Sequence, residues 1–204
     1  IGIIGGAGLM GSYHADVLSR HGHPIRIYDI KEDEARRLSE TRGYQFMNPI
    51  ELSSTSDVVI VSVPIPITPS VIKEFGPHVR PGASLMDLTS RKSKAVAAAL
   101  EYTNPDVEID SVHYSFRPTV SLLGQKVMML GVRPNDRSGS TYNELKKILY
   151  SEGATVVDVE SAEKHDLMMD VVQGLSHAKH MVAFETMRNV LKAHKIPLEE
   201  LVKY

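Results

Sequence analysis

Three polar side chains stand at or just after the ends of predicted strands, where they could take part in a proton transfer. The apolar run ASLMDLTS ends at Ser90, with Lys92 two residues later, and the run VEIDSVHY holds His113 near its end. An imidazole titrates near neutral pH, so a histidine in a cleft is suited to accept a proton from a hydroxyl group. Beside an acceptor for hydride, such a base would support the oxidation of an alcohol.

The predicted hydride acceptor follows from the segment IGIIGGAGLMG at the start of the chain. Gly6, Gly8 and Gly11 form a G-x-G-x-x-G pattern between an apolar strand and an amphipathic helix, and Leu9 and Met10 lie inside it. We expect Gly6 to permit a tight turn, Gly8 to let the backbone approach a pyrophosphate, and Gly11 to let the helix pack closely. The pyrophosphate would lie at the helix N-terminus. The context therefore predicts a dinucleotide-binding loop rather than an unrelated glycine-rich turn.

The second predicted strand ends at Asp29, 18 residues after Gly11. A carboxylate there can accept hydrogen bonds from the adenosine ribose hydroxyls, and it would repel a 2′-phosphate. We therefore expect NAD as the cofactor in preference to NADP, although Lys31 nearby acts against that preference. Val63 and Pro64 follow a further strand and should lie beside the nicotinamide.

The elements that must position these residues alternate along the first 160 residues. Seven apolar runs are typical of strands and five amphipathic segments of helices, which favours an α/β fold with a Rossmann-type, doubly wound, mainly parallel sheet. The carboxyl ends of parallel strands meet at one edge, so the loops after them should converge on one crevice. The predicted strands begin at residues 1, 24, 57, 83, 107, 126 and 154, and the helices at 11, 31, 68, 91 and 139.

From Ser161 onward the pattern predicts a single helix of about 30 residues. Residues 161–204 would begin a C-terminal helical domain after a dinucleotide-binding domain over residues 1–160. The apolar face of this helix needs a partner, so we expect a homodimer formed through the C-terminal helices. Its first turn carries His165, which would cover the crevice. The chain starts inside a strand and stops soon after Pro197, so we expect the natural protein to continue.

Composition argues against several classes of protein. With a formal net charge of -2, neither nucleic acid nor an anionic membrane surface is an expected partner. The chain has no cysteine, which excludes disulfides and favours a cytoplasmic location. No apolar run reaches the roughly 20 residues that span a bilayer. A metal site of His165, His177 and His180 is the weaker alternative, because nearby carboxylates lack ligand spacing; we expect no metal.

Taken in order, six motifs resemble those of prephenate dehydrogenases, enzymes of the tyrosine pathway: GGAGLMG, VVIVSVPI, DLTSRK, the segment from His113 to Pro118, GQKVMM and EKHD. The resemblance covers nearly the whole chain, and its specificity lies in the order, since each motif alone is common. It implies NAD-dependent removal of hydride from the ring carbon that bears the hydroxyl of prephenate. Loss of the ring carboxylate would then give 4-hydroxyphenylpyruvate. Arogenate, which would give tyrosine, is the usual substitute substrate.

The resemblance also implies roles for single residues. His113 matches the histidine that accepts a hydrogen bond and then the proton of the substrate hydroxyl, and Ser90 matches a serine that contacts both. Lys92 matches a lysine at the floor of the active site, and His165 matches a histidine that faces the pocket. Where the family has Pro-Met-Phe-Gly-Pro after the catalytic histidine, this chain has YSFRP, with Arg117 in place of glycine. Arg117 could grip a substrate carboxylate, a role that the family gives to an arginine outside these 204 residues.

Plainer interpretations stay open at this level. His113 could be a core histidine with satisfied ring nitrogens, and Lys92 could be a solvated lysine at a helix start. Two other functions are compatible with the same residues. One is a dehydrogenase that acts on another small hydroxy acid or uses an unusual cofactor, and the other is a dinucleotide-binding protein without catalysis.

Overall fold

The computed structural model of the chain describes residues 1–134, 140–197 and 200. It divides into two compact units, Ile1–His165 and Asp166–Tyr204. The strands within the described residues are β1 Gly2–Ile4, β2 Arg26–Tyr28, β3 Gln45–Phe46, β4 Val58–Val61, β5 Ser84–Asp87, β6 Glu108–Tyr114, β7 Lys126–Arg133 and β8 Thr155–Asp158.

Helices connect most of these strands, and a long one follows them. The α-helices are α1 Leu9–Arg20, α2 Glu32–Arg42, α3 Pro49–Thr55, α4 Thr68–Phe75, α5 Ser93–Tyr102, α6 Thr141–Ser151 and α7 Ala162–His194. Short 3-10 turns at Ile65–Ile67 and Gly76–His78 flank α4.

The strands form one sheet with the order β3-β2-β1-β4-β5-β6-β7-β8. β1 pairs in parallel with β2 on one side and with β4 on the other, so the connections turn in opposite directions from this point. Apolar residues of β1, β2, β4, β5, β6 and β7 divide between two cores, one against α1, α2 and α6 and the other against α3, α4 and α5. Helices therefore cover both faces, and the predicted doubly wound, mainly parallel fold is confirmed.

Two features of the sheet differ from the simplest form of that prediction. β7 runs antiparallel to β6, whereas β8 is parallel to β7. Residues 115–125 between β6 and β7 form no helix, and a parallel pair needs a crossover that is usually helical, so the chain turns back directly. The short elements β3 and α3 were not predicted. The Asn48 side chain accepts a hydrogen bond from the N–H of Ile50 and so caps α3, with Pro49 in its first turn.

The long helix predicted from residue 161 is present as α7. The Ser161 hydroxyl accepts a hydrogen bond from the N–H of Lys164 at 3.1 Å, which satisfies one of the unpaired donors at its start. Among the described residues, no helix combines the length and the apolar character needed to cross a bilayer. In the unit that starts at Asp166, α7 exposes large apolar side chains, among them Leu175, Met181, Val182 and Phe184.

Candidate active site

The loops that follow β1, β4, β5 and β6 line one crevice of about 410 Å³. This is the edge of the sheet beside the β1–β4 switch, where ligands bind in open α/β folds. The predicted convergence of strand ends is therefore present in the fold. The predicted site residues that line the crevice are Gly8, Leu9, Met10, Val63, Pro64, Ser90, His113 and Arg117.

The glycines of the first loop are needed for different reasons than the pattern alone indicates. The turn covers residues 5–7 and so includes Gly6, but the residue whose φ, 86°, favours glycine is Gly5. A Cβ on Gly5 would stand 2.2 Å from the Ser62 carbonyl oxygen. Gly6 is instead constrained by packing, since a Cβ there would lie 2.6 Å from the Cβ of Ile27. Gly11 allows close approach of α1, because its Cβ would lie 2.2 Å from the Gly5 carbonyl oxygen.

Gly8 lines the crevice, and because it has no side chain a ligand can approach the backbone there. A Cβ on Gly8 would lie 3.2 Å from the Gly5 carbonyl oxygen, compared with 2.2 Å for a Cβ on Gly11. Packing within the protein therefore excludes a side chain at Gly8 less strictly than at Gly11. Gly8 precedes α1 and lines the crevice, and it has no side chain to accept the first N–H groups of the helix. The amides of Leu9 and Met10 and the positive end of the helix dipole are therefore suited to bind an anion.

Asp29 follows β2 and holds the glycine loop against it. Its carboxylate accepts the N–H of Ala7 at 3.1 Å through Oδ2 and the N–H of Lys31 at 3.1 Å through Oδ1. Each oxygen retains a second lone pair, so these bonds are compatible with acceptance from a ribose hydroxyl. The Lys31 ammonium forms an ion pair with Glu34 at 3.2 Å.

His113 and His165 form a buried pair of imidazoles. His113 Nδ1 lies 3.0 Å from His165 Nε2, and the two rings meet edge to face at 68°. The exposed fractions are 5% for His113 and 3% for His165. His113 lines the crevice, whereas His165 is absent from the described residues that line it. His165 therefore contacts His113 from outside the described crevice lining, and its role at the site stays a prediction.

Lys92 lies in the protein interior. It is 1% exposed and lies outside the described crevice lining, so the interpretation as a solvated lysine is wrong. Its Nζ donates to the carbonyl oxygen of Val112 at 2.7 Å and to Asp87 Oδ1 at 3.1 Å. The same carboxylate accepts from the Thr89 amide and hydroxyl and from the Ser111 hydroxyl. Sequence reasoning did not single out Asp87, although an aspartate inside a buried apolar strand was a usable signal.

The loop after β6 carries Arg117 to the rim of the crevice, where its side chain is exposed. Phe116 anchors this loop by edge-to-face contacts with Tyr13 and Tyr114, at centroid distances of 6.0 and 5.7 Å. The Tyr114 hydroxyl is bonded to Nδ1 of His14 at 2.7 Å. Burial lowers the pKa of His14 to about 4, so this ring is neutral at neutral pH. The sequence analysis missed this aromatic support because its members are 100 residues apart.

A second cavity and the alternative metal site can be compared with the crevice within the described residues. A cavity of about 220 Å³ between α1 and α6 contains none of the predicted site residues in its lining. Within the described residues, no three side chains of histidine, cysteine, aspartate or glutamate are grouped to hold a metal ion. The side chain of His177, named for the alternative metal site, lies outside the described residues.

Comparison with known proteins gives the family. Residues 14–113 match the family model described as prephenate dehydrogenase, nucleotide-binding domain. A probable arogenate/prephenate dehydrogenase of Methanocaldococcus jannaschii is 34% identical over 205 residues, covering 100% of this chain and 45% of that protein. A probable prephenate dehydrogenase [NADP(+)] of Schizosaccharomyces pombe is 29% identical, covering 92% of this chain and 42% of that protein. The chain thus spans less than half the length of these relatives.

A solved structure agrees at the level of the fold. Prephenate dehydrogenase from Aquifex aeolicus, in complex with hydroxyphenyl propionate and NAD+, superposes with a TM-score of 0.69 at 22% identity. The match covers 100% of this chain and 72% of that chain. The matched model identifies residues 14–113 as a nucleotide-binding domain of the prephenate dehydrogenase family, and the similarity to the relatives above extends along the chain.

Proposed function

We propose that the protein is an NAD-dependent dehydrogenase that oxidises and decarboxylates prephenate or arogenate. The observation that carries the proposal is that the glycine loop and His113 line the same crevice. The substrate would lose a hydride from its hydroxyl-bearing ring carbon, and the ring carboxylate would leave as carbon dioxide. Prephenate would give 4-hydroxyphenylpyruvate, and arogenate would give tyrosine.

The residues around the crevice fit a dinucleotide. The amides at the start of α1 would hold the pyrophosphate, Asp29 the adenosine ribose, and Val63 and Pro64 the side of the nicotinamide. Bound in this way, NAD supplies the acceptor for the hydride. The carboxylate of Asp29 supports NAD over NADP because it would repel a 2′-phosphate. The ion pair of Lys31 with Glu34 supports the same preference, since it offsets the one nearby cation named in the sequence analysis.

His113 is the proposed base. Because Nδ1 is bonded to His165, we assign Nε2 to the substrate hydroxyl. The hydroxyl would donate a hydrogen bond to Nε2 and pass its proton there as the hydride leaves, so that no positive charge accumulates on the oxygen. Ser90 lines the crevice with His113 and would orient the same hydroxyl.

Two further residues would contribute in different ways, one by binding substrate and the other by positioning His113. Arg117 on the rim would bind a substrate carboxylate, for which a guanidinium offers two parallel donors. Lys92 would act through the backbone, since its ammonium holds the Val112 carbonyl directly before His113. Its buried ion pair with Asp87 fixes its position, so we assign it to positioning and not to contact with substrate.

We infer a homodimer formed through the C-terminal helices. The support is the set of large apolar side chains that α7 exposes between residues 167 and 190. Apolar surface of this kind on a long helix favours association with a second helix. The cytoplasmic location expected from composition stays a prediction.

The test is a turnover assay of the complete protein with prephenate or arogenate, comparing NAD with NADP. We expect reduced nicotinamide to appear together with loss of the ring carboxylate. His113→Ala should lower kcat by about 10²–10⁴, the usual contribution of a positioned base, and leave NAD affinity unchanged. His78→Ala, an exposed histidine in a 3-10 turn, is the matched control.

Three outcomes would contradict the proposal. If the protein turns over other alcohols but neither prephenate nor arogenate, a dehydrogenase of another hydroxy acid is favoured. Tight NAD binding with no turnover of any alcohol would favour a non-catalytic dinucleotide-binding protein. Loss of NAD affinity in His113→Ala would make that histidine structural.

A further inference from the structure

The hydrogen bond between His113 and His165 can be made in two ways. His113 Nδ1 and His165 Nε2 are 3.0 Å apart, and a neutral imidazole carries its proton on only one of its two nitrogens. Either His113 donates from Nδ1 and His165 accepts, or His165 donates from Nε2 and His113 accepts. The two arrangements place the proton of His113 on opposite sides of its ring.

Only the first arrangement makes His113 a base toward the crevice. When Nδ1 of His113 carries the proton, Nε2 has the lone pair that can accept a substrate hydroxyl proton. When His165 donates instead, a neutral His113 carries its proton on Nε2, and that nitrogen cannot accept another. The direction of one buried hydrogen bond therefore decides whether the crevice contains a base or a donor.

We propose that His165 is a positioning residue that fixes the tautomer of His113 with the proton on Nδ1. This inference rests on the proposed function, in which His113 Nε2 faces the substrate, and deepens it by adding the residue that prepares the base. Its physical basis is the same as for any catalytic imidazole whose distal nitrogen is bonded to a fixed acceptor. His165 is suited to that task, because it is 3% exposed and hence held in one place by its surroundings.

The position of His165 in the chain supports the assignment. It lies in the first turns of α7, and its amide donates to the Ser161 carbonyl oxygen at 3.0 Å, so the backbone that carries the imidazole is part of regular helix. His113 lies in β6, and the backbone directly before it is bonded to Lys92 through the Val112 carbonyl. A strand thus holds the backbone of the base, and a helix holds the partner of its ring.

The experiment reads the tautomer directly. The protein is labelled with ¹⁵N-histidine, and long-range ¹H–¹⁵N spectra assign the protonated nitrogen of His113 in the wild type, in His165→Gln and in His165→Leu. A glutamine amide oxygen can replace His165 Nε2 as the acceptor, whereas leucine fills similar space without accepting. His180→Gln is the control, since His180 is exposed on the same helix and bonded to the Ser176 carbonyl.

We expect His113 to carry its proton on Nδ1 in the wild type, in His165→Gln and in His180→Gln, and to shift toward Nε2 in His165→Leu. Turnover of prephenate should follow the tautomer. His165→Leu should lose about 10- to 100-fold in kcat, the range found when the partner of a functional histidine is removed, with KM unchanged. His165→Gln should retain most of the activity, which a role in packing alone does not predict.

A wild-type His113 protonated on Nε2 would overturn the inference without any variant, so it stays testable even if His165→Leu fails to fold. An unchanged tautomer in a folded His165→Leu would also overturn it. If the tautomers behave as expected but no alcohol is oxidised, the inference about the pair stands and the proposed function fails. The spectra and the turnover assay therefore separate the two.

Discussion

The buried carboxyl of Asp110 should make the stability of the fold depend on pH. Replacement of Asp110 by asparagine should remove most of that dependence. Asp110 is 2% exposed in β6, and within the described residues its Oδ2 has no hydrogen-bond partner. Burial, with a smaller contribution from the neighbouring Glu108 carboxylate, raises its pKa to about 8. The Glu108 carboxylate accepts hydrogen bonds from the Ser140 hydroxyl at 2.8 Å and from the N–H of Thr141 at the start of α6.

The sign and size of the effect follow from the two pKa values. An aspartate in the unfolded chain titrates near 3.9, so between that pH and about 8 the folded state binds more protons than the unfolded state. Stability is therefore highest at low pH for this group and is lost as pH rises through the folded pKa. Each pH unit well inside this window removes about 1.4 kcal/mol, and the slope halves at the folded pKa. The free energy of unfolding should therefore fall by about 2 kcal/mol from pH 6 to pH 8.

The assay is urea unfolding followed by circular dichroism at pH 6, 7, 8 and 9. Contributions of other groups cancel when wild type and Asp110→Asn are subtracted at each pH, and the difference should move in favour of the variant by that amount. Asp106→Asn, an exposed aspartate in the turn before β6, should keep the wild-type slope. Parallel stability curves for wild type and Asp110→Asn would refute the reasoning and show that Asp110 is ionised in the folded state.

Two other predictions concern the crevice. Gly11→Ala should weaken NAD binding at least tenfold and destabilise the fold by about 1–3 kcal/mol, because its Cβ would overlap the Gly5 carbonyl oxygen at 2.2 Å. Titration calorimetry and urea unfolding measure both effects, with Gly174→Ala, which has open space around the added carbon, as the control; equal behaviour of the two variants would contradict the close approach of α1. Arg117→Ala should raise the KM for prephenate about tenfold or more at nearly constant kcat, as expected for loss of a charge-assisted hydrogen bond. Steady-state kinetics check this, and an unchanged KM would remove Arg117 from substrate binding.

The nucleotide end of the fold could be predicted from sequence because its signals are local. An apolar strand, a glycine pattern, an amphipathic helix and Asp29 at the end of the next strand follow one another within 29 residues. Which glycine of the turn has a positive φ could not be predicted in this way. It depends on where β1 ends against β4, and the Ser62 carbonyl that excludes a side chain at Gly5 is a tertiary neighbour.

The antiparallel direction of β7 could be predicted from the sequence, whereas the short elements β3 and α3 were harder to predict. Residues 115–125 show no helical periodicity, which already argues against a parallel connection. β3 has two residues and α3 seven, too few for a period to stand out, although Asn48 before Pro49 is a recognisable helix start.

The side chains that support the base could not be oriented from sequence. Lys92 and His165 were placed near His113 by the family resemblance, but spacing along the chain does not show which atom a side chain contacts. Lys92 turns into the interior because Asp87 and the Val112 carbonyl together satisfy its ammonium. The contact of His165 is with His113, which lies in a strand 52 residues earlier in the chain, so it could not be seen from local sequence.

The central place of β1 has a consequence for how the protein is made. β1 leaves the ribosome before β4, yet β4 is one of its two neighbours, with Gly2 opposite Val59 and Ile4 opposite Val61. The glycine loop also takes its shape against Ser62. Until Ser62 has left the exit tunnel, the nascent chain therefore has no finished nucleotide loop, and the dinucleotide can assist folding only after β4 has emerged. Until then, the edge of β1 that pairs with β4 is open to pairing with other chains.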